Sequence, residues 1–286
     1  MTFREKLGKK FVVSVEVDAP KDVDFESALS KIECLKGIAD VVNIADSPMA
    51  RVRMSPFAFG HLIMERLGIE PLIHLTCRDR NLIGLQAELL GAHALGEQNI
   101  LAITGDPPSA GDYPKATGVF DVTSTGLVRM MKRMNMGLDL AGNSLKRGTS
   151  FCIGIGVNPF SDDEDGEVRR LAEKAASGAD FAVTQPVFDA ERFLSFMKKI
   201  AFLEIPVLAG MLPIKSLKNA LYLANEVPGM VIPSSVIDRF SSCQSSDMQR
   251  EGIEIARQTL KAIKNEAAGL YLIPMGRYEI ISQLLF

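Results

Sequence analysis

Three polar side chains in this chain stand at the ends of apolar, β-branched runs, where α/β barrels collect their reactive groups. Glu16 lies among Val13, Val15 and Val17, so strand alternation turns it inward or leaves it at a strand end. A partly buried carboxyl there holds its proton more tightly and suits a general acid. Asp106 closes the run Ile100-Leu101-Ala102-Ile103-Thr104 within Gly105-Asp106-Pro107-Pro108. Glycine followed by an acid and two prolines makes a rigid loop bearing a carboxylate, and Gly111-Asp112-Tyr113 adds polar groups beyond it. An Asx turn ahead of Pro107 is the competing use of this aspartate. Gln185 lies between Thr184 and Pro186 at the end of another run. Its amide, donor and acceptor together, matches the amide-like edge of a heterocycle, although capping a loop is also open to it.

Other groups carry a weaker signal. His74, in the middle of Leu72-Ile73-His74-Leu75-Thr76, is either a hydrogen-bonded core histidine or a ligand contact, while Thr76 at the strand end is better placed to touch a ligand. Arg51 and Arg53 suit a phosphate or carboxylate partner, or a solvated surface. His61, His74 and His93 form no HxH or HxxxH pair, and Cys34, Cys77, Cys152 and Cys243 no CxxC. A metal site therefore has little support, and scattered thiols fit a reducing, cytoplasmic setting.

Composition narrows the classes. With 47% apolar and 23% charged residues in 286, the chain has the makings of a large core, and disorder is not expected. A net charge of −3 with only paired basic residues gives no footprint for nucleic acid or an anionic membrane. The charged start MTFREKLGKK and the glutamate inside the first apolar run argue against a signal peptide or a membrane span.

The elements that must position these groups recur. Apolar runs over 11–17, 41–45, 72–76, 99–104, 151–157, 180–184, 206–210 and 269–274 are separated mostly by roughly 25–35 residues, the spacing of βα units in a parallel sheet. Between them, helical periodicity is read over 27–35, 82–95, 168–177 and 192–200, with Gly37, Gly96 and Gly178 as stops. The expected fold is an α/β protein, a (β/α)8 TIM barrel in a single domain covering 1–286. An open doubly wound sheet would start with a strand and a GxGxxG turn. Here the first run leads into Glu16-Val17-Asp18-Ala19-Pro20, and Gly154-Ile155-Gly156 lies inside a strand. The long interval from Gly210 to Gly269, with Pro213, Pro228 and Pro233 and helices over 217–225 and 246–266, reads as a helical insertion before the last strand. Its apolar positions, like the Phe193/Phe196 stripe, need the barrel wall or a partner subunit.

Taken in order, Glu16, DSPMARVRMS, HLTCRDRN, NILAITGDPP with GDYP, GADFAVTQPVFD, GMLP and GLYLIPMGRYE resemble the methylenetetrahydrofolate reductase family over nearly the whole chain. The resemblance implies a flavin-binding (β/α)8 barrel that reduces 5,10-methylenetetrahydrofolate to 5-methyltetrahydrofolate in one-carbon metabolism. It makes Glu16 the acid that protonates the ring-opening nitrogen of the folate. Asp106 becomes the acid beside the flavin that orients the pterin, and Gln185 a folate contact. On the cofactor, FAD or FMN, it places His74, Thr76, Thr104, Gly105, Asp106, Asp46, Ser47 and Asn158, with Glu167 and Lys174 towards ribose and phosphate.

Two departures bear on the electron donor. After the fifth run the chain reads Gly156-Val157-Asn158-Pro159-Phe160-Ser161 with no histidine, as in short reductase subunits of acetogenic bacteria and in the reductase half of fused homocysteine methyltransferase proteins. Leu223 stands where some relatives carry an aromatic near the nicotinamide. NADH or NADPH is therefore one expected donor, and a partner protein in a larger complex is the other.

Overall fold

The computed structural model describes residues 1–227 and 229–286; Pro228 of the long interval lies outside the described residues. Eight parallel strands close a barrel in sequence order, with the first paired to the last. They are β1 (Val12–Val17), β2 (Val41–Ile44), β3 (Pro71–Thr76), β4 (Asn99–Ile103), β5 (Cys152–Val157), β6 (Phe181–Pro186), β7 (Val207–Met211) and β8 (Gly269–Leu272). Helices flank them: α1 (Phe3–Lys6), α2 (Phe25–Ile32), α3 (Pro56–Leu67), α4 (Leu82–Ala94), α5 (Ser124–Asn135), α6 (Glu164–Ala176), α7 (Ala190–Ile200), α8 (Leu217–Glu226), α9 (Ser234–Ser241), α10 (Met248–Ile263) and α11 (Ile280–Leu285). The (β/α)8 architecture read from the spacing is the architecture observed.

The strands are rich in apolar residues on both faces because both faces are covered. Outward residues such as Val15, Ile44, Ile73, Ile100, Ile153 and Ala209 meet the helices in one large core. Inward residues form a second cluster of Val12, Val41, Leu72, Leu101, Phe181 and Leu208. Phe3 of α1 joins it, edge-on to Phe181 at 5.2 Å between ring centroids. This closes the end of the barrel opposite the carboxyl ends of the strands. Gly154 makes room for that plug, since a methyl built on it would collide with the Phe181 ring.

Side-chain caps fix where helices begin. Asp24, Asn81, Thr123, Asp163, Asp189 and Ser216 each accept from a backbone N–H of the first turn, each cap contributing about 1 kcal/mol. At the other ends, Gly37, Gly96 and Gly178 have φ of +77°, +89° and +112°, as their reading as stops requires.

The interval before β8 is helical, as expected, but only part of it packs on the barrel wall. Ala256 and Ile263 of α10 join the main core. Leu223 of α8, with Val236 and Phe240 of α9, forms a separate cluster with Ile255, Leu212 and Ile214. Phe193 and Phe196 of α7 are fully buried in the main core, so that stripe faces the barrel.

Candidate functional site at the barrel mouth

Strand alternation points 12, 14 and 16 of β1 inward, along with 41 and 43 of β2 and 72 and 74 of β3. The lower members are apolar, and the next layer is polar. Asn43 Nδ2 donates to Ser14 Oγ, and Asn43 Oδ1 lies 3.3 Å from His74 Nε2. Two residues beyond Ser14 on β1, in register with Asn43, comes Glu16. The hydroxyl of Tyr271, inward-facing on β8, donates to Glu16 Oε2. The ring of Tyr271 lies 6.2 Å from that of His74.

These surroundings set the charges. Burial raises Glu16 from 4.5 to about 7, the Tyr271 hydrogen bond pulls against that shift, and the Asp18 carboxylate adds to it. At neutral pH the carboxyl is therefore divided between its two forms, as a group that must give and regain a proton requires. Burial lowers His74 to about 4, against the opposing pull of Asp46, so its imidazole is neutral. Tyr271 is pushed well above the usual phenol range, by burial first and the Glu16 charge second.

Beside this layer lies a cavity of about 370 Å³ lined by the ends of β3, β4, β5, β6 and β8. His74, Asn158, Glu167, Gln185 and Tyr271 supply its polar groups; Leu101, Ile103, Val183 and Ile273 supply apolar walls. Gln185 is exposed there because β6 bulges between Val183 and Pro186. Thr184 Oγ1 holds the bulge, accepting from Gly210 N at 2.9 Å and donating to the Gln185 carbonyl at 2.7 Å. A methyl on Gly210 would stand 2.6 Å from the Thr184 carbonyl oxygen, so the glycine permits that approach. A larger cavity of about 480 Å³ opens between the β1 and β8 loops and the start of α2, lined by Asp18, Lys21, Lys31, Arg53 and Tyr278.

Several of the other expected site residues fall into two internal networks. Asp46 is buried, and its Oδ2 accepts from Thr76 N at 3.1 Å, Thr76 Oγ1 at 2.8 Å and Arg80 Nη1 at 2.8 Å. Asp46 and Thr76 thus satisfy one another, and neither lines the 370 Å³ cavity. Gly105, at φ +86°, lies against Thr76, while the exposed Asp106 carboxylate accepts from Met49 N at 2.8 Å. This pins the loop carrying Ser47, Met49 and Ala50, all at positive φ. Ser47 lines a smaller pocket with Arg51, Arg78 and Tyr113, and Thr104 is exposed at the end of β4. In the second network Glu167 Oε1 accepts from Asn158 N at 2.8 Å, its Oε2 accepts from Arg170, and Lys174 Nζ donates to the Gly156 carbonyl at 3.0 Å. Both α6 residues hold the end of β5. Tyr271 is the residue that sequence reasoning missed, because its partner is 255 positions away.

The lining suits a flat heteroaromatic ring, of a flavin or of a pterin. Its walls are apolar, polar groups stand at His74 and Gln185, and a methyl built on Gly156 would meet nothing within 4 Å. The groups expected at ribose and phosphate, Glu167 and Lys174, are already engaged with the protein's own backbone.

Fold and mouth together define a (β/α)8-barrel protein with a ligand-sized cavity and a protonatable carboxyl at the carboxyl ends of its strands. Within that class, the chain belongs to the methylenetetrahydrofolate reductase family, whose sequence profile it matches over residues 2–285. It is 27% identical over 234 residues to methylenetetrahydrofolate reductase 1 of Schizosaccharomyces pombe, covering 79% of this chain and 36% of that one. It is 24% identical over 264 residues to the 5,10-methylenetetrahydrofolate reductase of Pectobacterium carotovorum subsp. carotovorum, covering 89% and 82%. The chain spans about a third of the length of the fungal and nematode relatives it matches. Among solved structures, an uncharacterized Clostridium thermocellum protein that binds two copies of 5-methyl-5,6,7,8-tetrahydrofolic acid superposes with a TM-score of 0.71 at 12% identity, covering 99% of each chain. A riboflavin lyase superposes with a TM-score of 0.56 at 10% identity, covering 97% and 91%. At these identities the superpositions speak to the fold.

Proposed function

We propose that residues 1–286 form a single flavin-binding barrel domain that reduces 5,10-methylenetetrahydrofolate to 5-methyltetrahydrofolate. The observation that carries this reading is Glu16, a carboxyl raised by burial to about 7 and hydrogen-bonded to Tyr271, which lines a cavity of about 370 Å³. Glu16 supplies the proton that opens the folate's bridging ring. Gln185 pairs with the pterin edge, neutral His74 faces the ring in the cavity, and the β2 and β4 loops locked by Asp106 exclude water. Bound FAD, or FMN, supplies the hydride. Family membership and the tetrahydrofolate-binding neighbour of the same fold support the substrate class. The expected setting is the cytoplasm.

Purified protein should carry a flavin absorbance band; its complete absence refutes the flavin reading. Anaerobic bleaching by NADH or NADPH, then reoxidation by methylenetetrahydrofolate, tests the full cycle. Glu16→Gln should leave flavin reduction intact and remove folate turnover.

A second reading, a subunit that receives its electrons from a partner protein, is favoured by Leu223. Only 5% exposed, it is packed into the α8–α9–α10 cluster, so no side chain at that position stands free to pack against a nicotinamide. If folate reoxidises chemically reduced protein but neither nicotinamide bleaches it, this second reading holds.

A further inference from the structure

Glu16 does not line the 370 Å³ cavity, whereas Tyr271 does. The phenol oxygen of Tyr271 is hydrogen-bonded to Glu16 Oε2. One hydroxyl, that of Tyr271, therefore links Glu16 Oε2 to the lining of that cavity. We propose that Tyr271 is a further catalytic residue, a hydroxyl relay through which the proton of Glu16 reaches the folate nitrogen in the cavity. This inference rests on the reading of Glu16 as the acid.

The atoms balance without any further reactant. Glu16, protonated at Oε2, donates to the phenol oxygen as the phenol O–H is passed to the substrate nitrogen. One O–H bond of the carboxyl breaks, one N–H bond forms, and tyrosine ends as it began, neutral. A phenol carries one proton and two lone pairs, so it can accept from one side and donate to the other. Its ionisation lies far above neutral pH, which makes the two transfers concerted and excludes a free phenolate. When Glu16 is deprotonated the phenol donates to it; protonation of Glu16 reverses the bond and frees the phenol proton for the cavity.

The neighbourhood leaves few other routes. Just beyond β1, the Asp18 charge disfavours ionised Glu16. From the segment after β8, the Tyr278 hydroxyl is engaged with Asp18 N at 3.0 Å. On β3, His74 is neutral and bonded to Asn43, and Asn43 itself is held between His74 and Ser14. Among the described residues, Tyr271 is the residue that both hydrogen-bonds to the Glu16 side chain and lines the cavity.

The test compares wild type, Y271F, Y271H, E16Q and the Y271F/E16Q double variant. In flavin-loaded protein, the rate at which methylenetetrahydrofolate reoxidises reduced enzyme should fall by about 10²-fold or more in Y271F. The double variant should be no slower than E16Q, because residues acting as a unit are not additive. Y271H, which offers a second two-sided donor and acceptor, should recover part of the loss. In ligand-free protein, the infrared carboxyl band that E16Q removes should titrate at higher pH in Y271F than in wild type, since the hydrogen bond favouring the carboxylate is gone. A folate rate in Y271F within threefold of wild type, an additive double variant, or an unmoved infrared titration overturns the relay. If wild type fails to turn over folate while the infrared shift appears, the proposed function has failed and the Tyr271–Glu16 bond has survived.

Discussion

Glu16 and Glu97 both keep their protons far above the usual carboxylate range, and they sit in opposite kinds of place. Glu16 is half-buried at the barrel mouth, bonded to Tyr271 and one hydroxyl away from a cavity. Glu97, between α4 and β4, is fully buried against α3, where a methyl built on Gly60 would lie 2.7 Å from its Oε1. Among the described residues neither of its carboxyl oxygens has a partner. Burial, with the Glu88 charge adding to it, lifts Glu97 to about 8. The comparison teaches that a raised proton affinity marks burial, and that only an open path and a proton-carrying neighbour turn it into a site. Asp46 is a third case: it is also buried, but its Oδ2 is held by Thr76 and Arg80, so its carboxylate serves the fold.

The contrast is broken most directly by paired substitutions. Glu16→Gln should lower folate turnover by about 10²–10⁴-fold, whereas Glu97→Gln should leave it within about threefold; equal losses, measured as steady-state kcat, would dissolve the distinction. Asp46→Ala removes the partner of a largely buried arginine and should cost about 3–5 kcal/mol in a denaturant melt. Loss of activity without loss of stability would instead give Asp46 a direct role.

Glu97→Gln should stabilise the fold in a pH-dependent way. The unfolded glutamate loses its proton near 4.5 and the folded one holds it to about 8. The wild type is therefore relatively stable below pH 4.5 and loses that contribution as pH rises to 8. The variant's gain should be absent at pH 4 and reach on the order of 2–4 kcal/mol above pH 8; a gain independent of pH would show that packing, not protonation, is responsible. Gln185→Ala, which removes one amide contact from the cavity, should raise the folate KM about tenfold and leave stability unchanged. A fall in kcat alone would move Gln185 from binding to the chemical step.

Much of this architecture was legible in the chain. The strands of a closed parallel barrel are buried on both faces, so Val207–Met211 reads as an unbroken apolar run and Val41–Ile44 is interrupted only by Asn43. The glycines and polar caps at helix ends act within a few residues. Helices α3 and α5 did not stand out: Pro56 and Gly60 interrupt the apolar repeat of α3, and α5 mixes methionines with basic residues. Gly60 is explained only by tertiary contact, since a methyl there would reach Ile73 Cδ1 at 2.6 Å.

The site divides the same way. Residue type and position at a strand end are local facts, so Glu16, Asp106 and Gln185 could be picked from the sequence alone, along with the barrel that carries them. Which of the polar groups are free is not local. Asp46 meets Arg80 across 34 positions, Asp106 meets Met49 across 57, and Glu16 meets Tyr271 across 255. A hydrogen bond consumes a side chain's polar capacity wherever along the chain its partner lies, and closing the barrel brings those partners together. The sequence by itself determined the strands, the order of the barrel and the carboxylates at its mouth. Only the tertiary structure decided which carboxylate is tied to an arginine, which is sealed, and which is hydrogen-bonded to a tyrosine that lines the cavity.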